Sequence, residues 1–385
     1  MVVIVITMKL IFRDICAVII FLFIVGIFFA PTILKGQMPV SADALVGLYH
    51  PWRDFVAKDY PRGLPFKNFL ITDPVRQQIP WRKAAIDQWK DRILPTWNPY
   101  NFSGASLIGN IQAGVFYPLN ILFFLLTFPV AWTVLIILEP LLAGFFLYLF
   151  LRHKQLSPMA SLFGAVSWSF SGFSVAWMTW GTIMHVALWL PLILLAIDKL
   201  IELKSSIALH STILRFNIFV MVLCMQFFAG HAQISVYVLL LSAAYALWQL
   251  RLMKPKRTKA AGWLLSGFSL FLLIASIQWI PLLYTTVNSS RLLEITSWTK
   301  SGWFLPWQHM VQYLVPDFFG NPATMNYWGE WNYGEFIGYI GMGGLLFAGF
   351  SLLQWKHSEL RFWIGALIVS ILFVLPTPIA KLPYF

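Results

Sequence analysis

Apolar runs of bilayer length, repeated along most of the chain, constrain this sequence more than any other feature. They occur near Ile15–Ile33, Trp132–Leu151, Met159–Met178, Ile183–Leu200, Phe216–Gly230, Ala232–Leu250, Trp263–Tyr284, Phe336–Leu353 and Phe362–Ile379. A helix of about 20 such residues crosses the hydrocarbon layer. Only 11% of the 385 residues are charged, against roughly 25% in an ordinary soluble domain. Lipid must therefore solvate much of the surface, and the expectation is an all-α, polytopic transmembrane bundle of about nine spans. The formal charge of +12 would suggest nucleic acid as a partner in a soluble protein; here the positions of Lys and Arg matter more than their sum. Cys16 and Cys224 lie inside apolar runs and supply neither a disulfide framework nor a metal site. The first run is longer than a signal-peptide core and no small-x-small cleavage site follows it, so it reads as a retained span.

Charge on the connectors sets the orientation. With a cytoplasmic N-terminus, the basic connectors Arg152-His153-Lys154, Lys199 to Arg215, Arg251 to Lys259 and Lys356 to Arg361 all fall inside. The hairpins at Thr179–Thr182 and Gly230–Gln233 carry no Lys or Arg and fall outside. This holds only if the short run Val115–Phe128, bracketed by Pro118 and Pro129, does not cross. The chain then divides into an anchor (1–34), a first external loop (35–131), a core bundle (132–284), a second external loop (285–335) and C-terminal spans (336–385). Arg76–Trp89 reads as a short amphipathic helix at the membrane surface. Both external loops are rich in Trp, Tyr, Pro and Asn, which marks ordered structure rather than disorder.

Ionisable groups at membrane depth are costly and point to function. Glu139, His185, His231, Gln233 and Gln278 all fall toward the outer ends of their spans, and Asp43 follows the first span on that side. Each has a structural alternative. Glu139 precedes Pro140 and can serve the freed backbone of a kinked helix; the histidines can bond to backbone; Gln278 can join two helices; Asp43 can be a solvated loop carboxylate. The densest polar signal is Pro95-Thr96-Trp97-Asn98-Pro99-Tyr100-Asn101-Phe102-Ser103-Gly104, leading into Asn110-Ile111-Gln112-Ala113-Gly114-Val115-Phe116-Tyr117-Pro118-Leu119-Asn120. Its Pro, Gly and Asn residues make tight turns. Its amides, notably Asn98, Asn110 and Gln112, suit either a hydroxyl-rich ligand or a structural re-entrant loop.

That stretch, the Ser-Ala-Asp after the first span, the LSPMASLFGAVSWSFSGFSVAW span and the GHAQISVYVLLLSAAYAL hairpin resemble the YfhO-like bacterial membrane proteins, from about Ala42 onward. The resemblance implies a GT-C-like fold and a glycosyltransferase that draws on a polyprenyl-phosphate-linked sugar. The reaction would take place outside the cytoplasmic membrane, with a cell-envelope polymer or lipid as acceptor and no nucleic acid partner. An acidic residue early in the first external loop is the usual catalytic candidate in that class, and Asp43 has that placement. Family chains run on to further spans, so an end at Phe385 is expected to leave the C-terminal part incomplete.

Under that reading Asp43 acts as general base on the acceptor hydroxyl, with inversion at the anomeric carbon. Arg53, Lys58, Arg62, Arg76 and Arg82 are available for the lipid phosphate. Asn98, Tyr100, Asn110, Gln112, His185, His231 and Gln233 are candidates for sugar or phosphate contacts. No cofactor is expected, since the chain has no HExxH, Asp-x-Asp or Cys cluster. The competing expectation is a lipid or lipid-linked-sugar flippase, although no internal repeat of the transporter kind is visible.

Overall fold

The computed structural model describes residues 2–46, 49–60, 69–101, 103–202, 209–253, 257–290, 304–324, 326–330 and 332–381. Arg62 lies outside the described residues. Among the described residues, five helices are long and apolar enough to cross a membrane: Phe128–His153, Ile183–Ile201, Leu209–Phe228, Ala232–Leu252 and Thr258–Val287. A bent pair, Pro158–Ser169 and Gly172–Trp180, adds a sixth if it is one broken span. The runs expected at the two ends of the chain are also helical, as Val2–Phe28, Met342–Ser351 and Ser358–Val374.

Local chemistry explains the breaks. Ser157 and Pro158 start one helix, with the Ser157 hydroxyl accepting the Ala160 N–H at 3.3 Å. The bend of 43° falls at Phe170-Ser171. There the hydroxyls of Ser171 and Ser174 donate to the Trp168 carbonyl at 3.1 and 2.7 Å. A broken span leaves carbonyls that lipid cannot satisfy, and these two serines supply the missing donors.

The Ile183–Ile201 segment forms the centre of the bundle, with Met184, Val186, Leu188 and Ile193 buried against Trp132, Leu135 and Ile136. At one end of the bundle the charged side chains gather. Lys154 Nζ lies 3.0 Å from Asp198 and 2.9 Å from Glu359, and the Tyr245 hydroxyl donates to Asp198 at 2.9 Å. Arg152 pairs with Asp14 at 2.6 Å.

The first loop closes the opposite end. Expected as one helix over Arg76–Trp89, its central part is a π turn, Pro74–Gln78, running into an α-helix, Ile79–Lys90. Trp97–Asn98 pairs antiparallel with Ala105–Ser106. The Val115–Phe128 run contains a 3₁₀ turn, Pro118–Ile121, and a four-residue helix, Leu122–Leu125. Neither is long enough to cross a bilayer at 1.5 Å per residue.

Candidate functional site

The loop over this end is built on side-chain amides. The Asn110 amide oxygen accepts the Gln112 N–H at 3.2 Å and starts the 3₁₀ turn Ile111–Ala113. Gln112 Oε1 accepts from Gln78 Nε2 at 2.7 Å. Gln278, deep in its helix, donates to the Ile108 carbonyl at 2.5 Å. Gly114 has φ +59°, and a Cβ there would stand 2.7 Å from Arg82 Nη2. Only glycine lets the chain turn and the guanidinium pass at this point. Gly230, at φ +105°, packs as tightly against the Ile111 carbonyl.

Beneath the turn lies a buried polar centre drawn from three parts of the chain. Arg82, 1% exposed, donates from Nη1 to Asn120 Oδ1 at 2.8 Å and from Nη2 to the Gly181 carbonyl at 3.2 Å. Asn120 passes the chain of bonds to the Gly114 carbonyl at 2.6 Å. His185 is fully buried, with Nε2 at 3.0 Å from the Leu135 carbonyl and Nδ1 at 3.0 Å from the Tyr117 hydroxyl. A carbonyl only accepts, so Nε2 carries the hydrogen and Nδ1 accepts from Tyr117. Trp189 Nε1 then donates to the Tyr117 oxygen at 3.4 Å. Burial pushes the Tyr117 phenol up and pulls Arg82 down to about 10, where it still carries its charge at neutral pH. A negative charge on Glu139 acts in the direction that keeps Arg82 protonated.

Glu139 completes the centre. Its carboxylate is fully buried, and neither oxygen has a hydrogen-bond partner among the described residues. His185 Nε2 lies 3.6 Å away, too far for a hydrogen bond. Arg82 Nε and the Thr182 hydroxyl are likewise buried and unpartnered. An unpaired buried carboxylate is expensive in an apolar medium, which makes the nearby guanidinium its natural counter-charge.

Arg82, Asn110, Gln112 and His185 therefore share one end of the bundle with Gln278, but through bonds to the protein itself. Arg82 spends two of its three nitrogens this way and presents no open face to a phosphate. Asn98 is also buried and accepts the Tyr100 N–H at 3.0 Å, while Tyr100 stands 85% exposed. His231 caps the Ala232–Leu252 helix by accepting the Ile234 N–H at 3.3 Å, and burial pulls it down to about 4. Gln233 donates to the Tyr237 hydroxyl at 2.9 Å on the surface. Asp43 opens a short helix, Asp43–Val46, with its side chain exposed, and Arg53 is exposed on Trp52–Val56. Neither has an ion pair among the described residues. No group of three His, Cys, Asp or Glu among those residues is disposed to hold a metal.

Tyr117, Asn120, Trp189 and Gln78 were not singled out by sequence reasoning. Tyr117 and Asn120 sit within the polar stretch that was, but their partners lie far away in the chain. Together these features define a class: a polytopic helical membrane protein whose first loop plugs one end of the bundle around a buried charged centre. The chain belongs to the bacterial membrane protein YfhO family, whose model matches residues 110–382. No curated protein and no solved structure matches it. The match begins at Asn110 rather than near Ala42, so Asn110, Gln112, His185, His231 and Gln233 fall inside it. Asp43, Arg53, Arg82, Asn98 and Tyr100 precede it.

Proposed function

We propose that this protein is an inverting membrane glycosyltransferase that moves a sugar from a polyprenyl-phosphate donor to a cell-envelope acceptor outside the cytoplasmic membrane. The reading adopts nine spans, a cytoplasmic N-terminus and a site on the face covered by the first loop. The observation that carries it is the contrast between two carboxylates of the outer half. Glu139 is sealed in the bundle, whereas Asp43 is exposed, unpaired among the described residues, and close in sequence to the first apolar helix. An exposed carboxylate can reach an acceptor hydroxyl; a sealed one cannot.

In this mechanism Asp43 takes the proton of the acceptor hydroxyl as that oxygen bonds to the anomeric carbon. The bond from that carbon to the phosphate oxygen breaks, and polyprenyl phosphate leaves with the electron pair. Arg53 and Arg76, both exposed, are the cations proposed to meet the departing phosphate. Tyr100, His231 and Gln233 are the proposed sugar contacts. Arg82 and His185 hold the loop on the bundle, with Asn98, Asn110 and Gln112 shaping its turns.

The test is sugar transfer from radiolabelled polyprenyl-phosphate donors to envelope polymer in membranes containing the protein. Asp43→Asn is expected to lower transfer by about a hundredfold or more, the usual scale for a general base, with insertion unchanged. Full transfer by that variant would remove Asp43 from the role. Absence of transfer from every donor, together with lipid movement in a scramblase assay, would favour a flippase instead. The buried Glu139 suits that alternative, since transport pathways also use intramembrane charges.

A further inference from the structure

The described residues of 304–340 form an aromatic knot that the transfer reading leaves unused. Its centre is His309, fully buried, with its ring centroid 4.5 Å from that of Phe319 and 4.4 Å from that of Phe336. The Glu330 N–H donates to His309 Nε2 at 3.2 Å, so Nδ1 carries the hydrogen and donates to Gln312 Oε1 at 2.5 Å. The knot is tied to the bundle by two backbone bonds, Leu305 N–H to the Val374 carbonyl at 2.8 Å and Gly172 N–H to the Tyr339 carbonyl at 2.7 Å.

Around this rigid centre, large aromatic rings face outward. Trp307, Phe318 and Trp328 are each more than half exposed. Trp328 is held edge-on against the buried Phe319, with centroids 4.7 Å apart. Two carboxylates sit among the rings. Asp317 Oδ1 accepts from Tyr333 at 2.6 Å and from Asn321 at 3.0 Å. Glu330 Oε1 accepts from Gln308 at 2.7 Å, which draws the turn carrying Trp307 toward the one carrying Trp328. Each carboxylate is thereby fixed through one oxygen, while its second oxygen has no described bond.

Outward tryptophans in a membrane protein are commonly headgroup anchors; these stand beside carboxylates held in place by side-chain hydrogen bonds. Residues 304–340 contain Asp317, Glu330 and Glu335 and no Lys or Arg. A phosphate-rich polymer or an anionic lipid surface would be repelled here. Flat apolar rings with fixed acceptors between them match the apolar faces and hydroxyl edges of a sugar ring. We propose that this face binds an uncharged saccharide, which stacks on Trp328 and Trp307 and donates its hydroxyls to Asp317 and Glu330.

The test is calorimetric titration of the full chain in nanodiscs with neutral oligosaccharides, and separately with a polyol-phosphate polymer. A neutral saccharide is expected to bind. Trp328→Ala is expected to weaken binding about tenfold, the order expected for a lost aromatic stack. Trp307→Ala and Asp317→Asn are expected to act in the same direction. Asp43→Asn is expected to bind unchanged, which separates this surface from the transfer site. Any of three results would overturn the assignment: no neutral saccharide binding, unchanged affinity in both tryptophan variants, or tighter binding of the polyanion. Loss of nanodisc retention by Trp328→Ala, with saccharide affinity intact, would make these rings membrane anchors.

Discussion

Arg82→Met is the most direct probe of the buried centre. Methionine fills most of the space of the arginine stem, so lost packing contributes little. What goes is the charge, the 2.8 Å bond to Asn120 and the 3.2 Å bond to the Gly181 carbonyl. A buried acceptor left without a donor costs about 1–3 kcal/mol, and the longer bond belongs at the low end of that range. Glu139, which makes no ion pair with Arg82 among the described residues, also loses the field of that cation, and with two acceptors orphaned the total cost is about 2–4 kcal/mol. At less than about 2–4 °C per kcal/mol for a chain longer than 250 residues, the melting point of the detergent-purified protein should fall by roughly 5–10 °C. Glu139→Gln should undo part of this: the double variant is expected to be about 1–2 kcal/mol more stable than the two single losses added together. Limited trypsin digestion of the first loop, now released from Gly181, should accelerate in step. A single variant within about 1 kcal/mol of the parent, or strict additivity in the double, would refute the coupling.

Two further outcomes test the same end of the bundle. His231, pulled down from 6.5 to about 4 in the folded protein, binds a proton more readily when unfolded. Its contribution is therefore complete above about pH 6.5 and is lost as the pH falls toward 4, by up to roughly 1–3 kcal/mol. His231→Asn, which keeps a capping acceptor but does not titrate, should show a smaller fall in melting temperature between pH 7 and pH 4.5; an identical fall would assign the acid sensitivity elsewhere. Gly230→Ala places a Cβ 2.8 Å from the Ile111 carbonyl at φ +105° and should cost about 1–3 kcal/mol. Gly262→Ala, which meets nothing within 4 Å, should be neutral or slightly stabilising in the same melting assay.

The helices were legible because length and apolarity are local properties. A run such as Trp132–Leu151 has little choice in lipid but to satisfy its own backbone. The site was less legible. Arg82 reads as a surface cation because nothing near it in the sequence announces Gly181, 99 residues on. Asn110, Gln112 and Asn98 read as ligand amides because an amide that satisfies a turn and one that meets a sugar hydroxyl are the same group. Burial decides between these roles, and burial is a property of the assembled bundle. Glu139 was legible as a costly residue, but its lack of a hydrogen bond among the described residues depends on which carbonyls and side chains come near it. Trp307 and Trp328 belong to an external loop whose sequence shows only that it is rich in Trp and Tyr; which carboxylates are fixed beside them depends on the folded loop.

The knot at the charged end of the bundle also has an order in time. Lys154 is shared between Asp198 and Glu359, and the second of these is made 205 residues after the lysine. During synthesis the ammonium meets Asp198 first, and Tyr245 arrives to donate to that same carboxylate. The Ser358–Val374 helix is thus joined through Glu359 to a lysine 205 residues earlier in the chain, at the end of the Phe128–His153 helix.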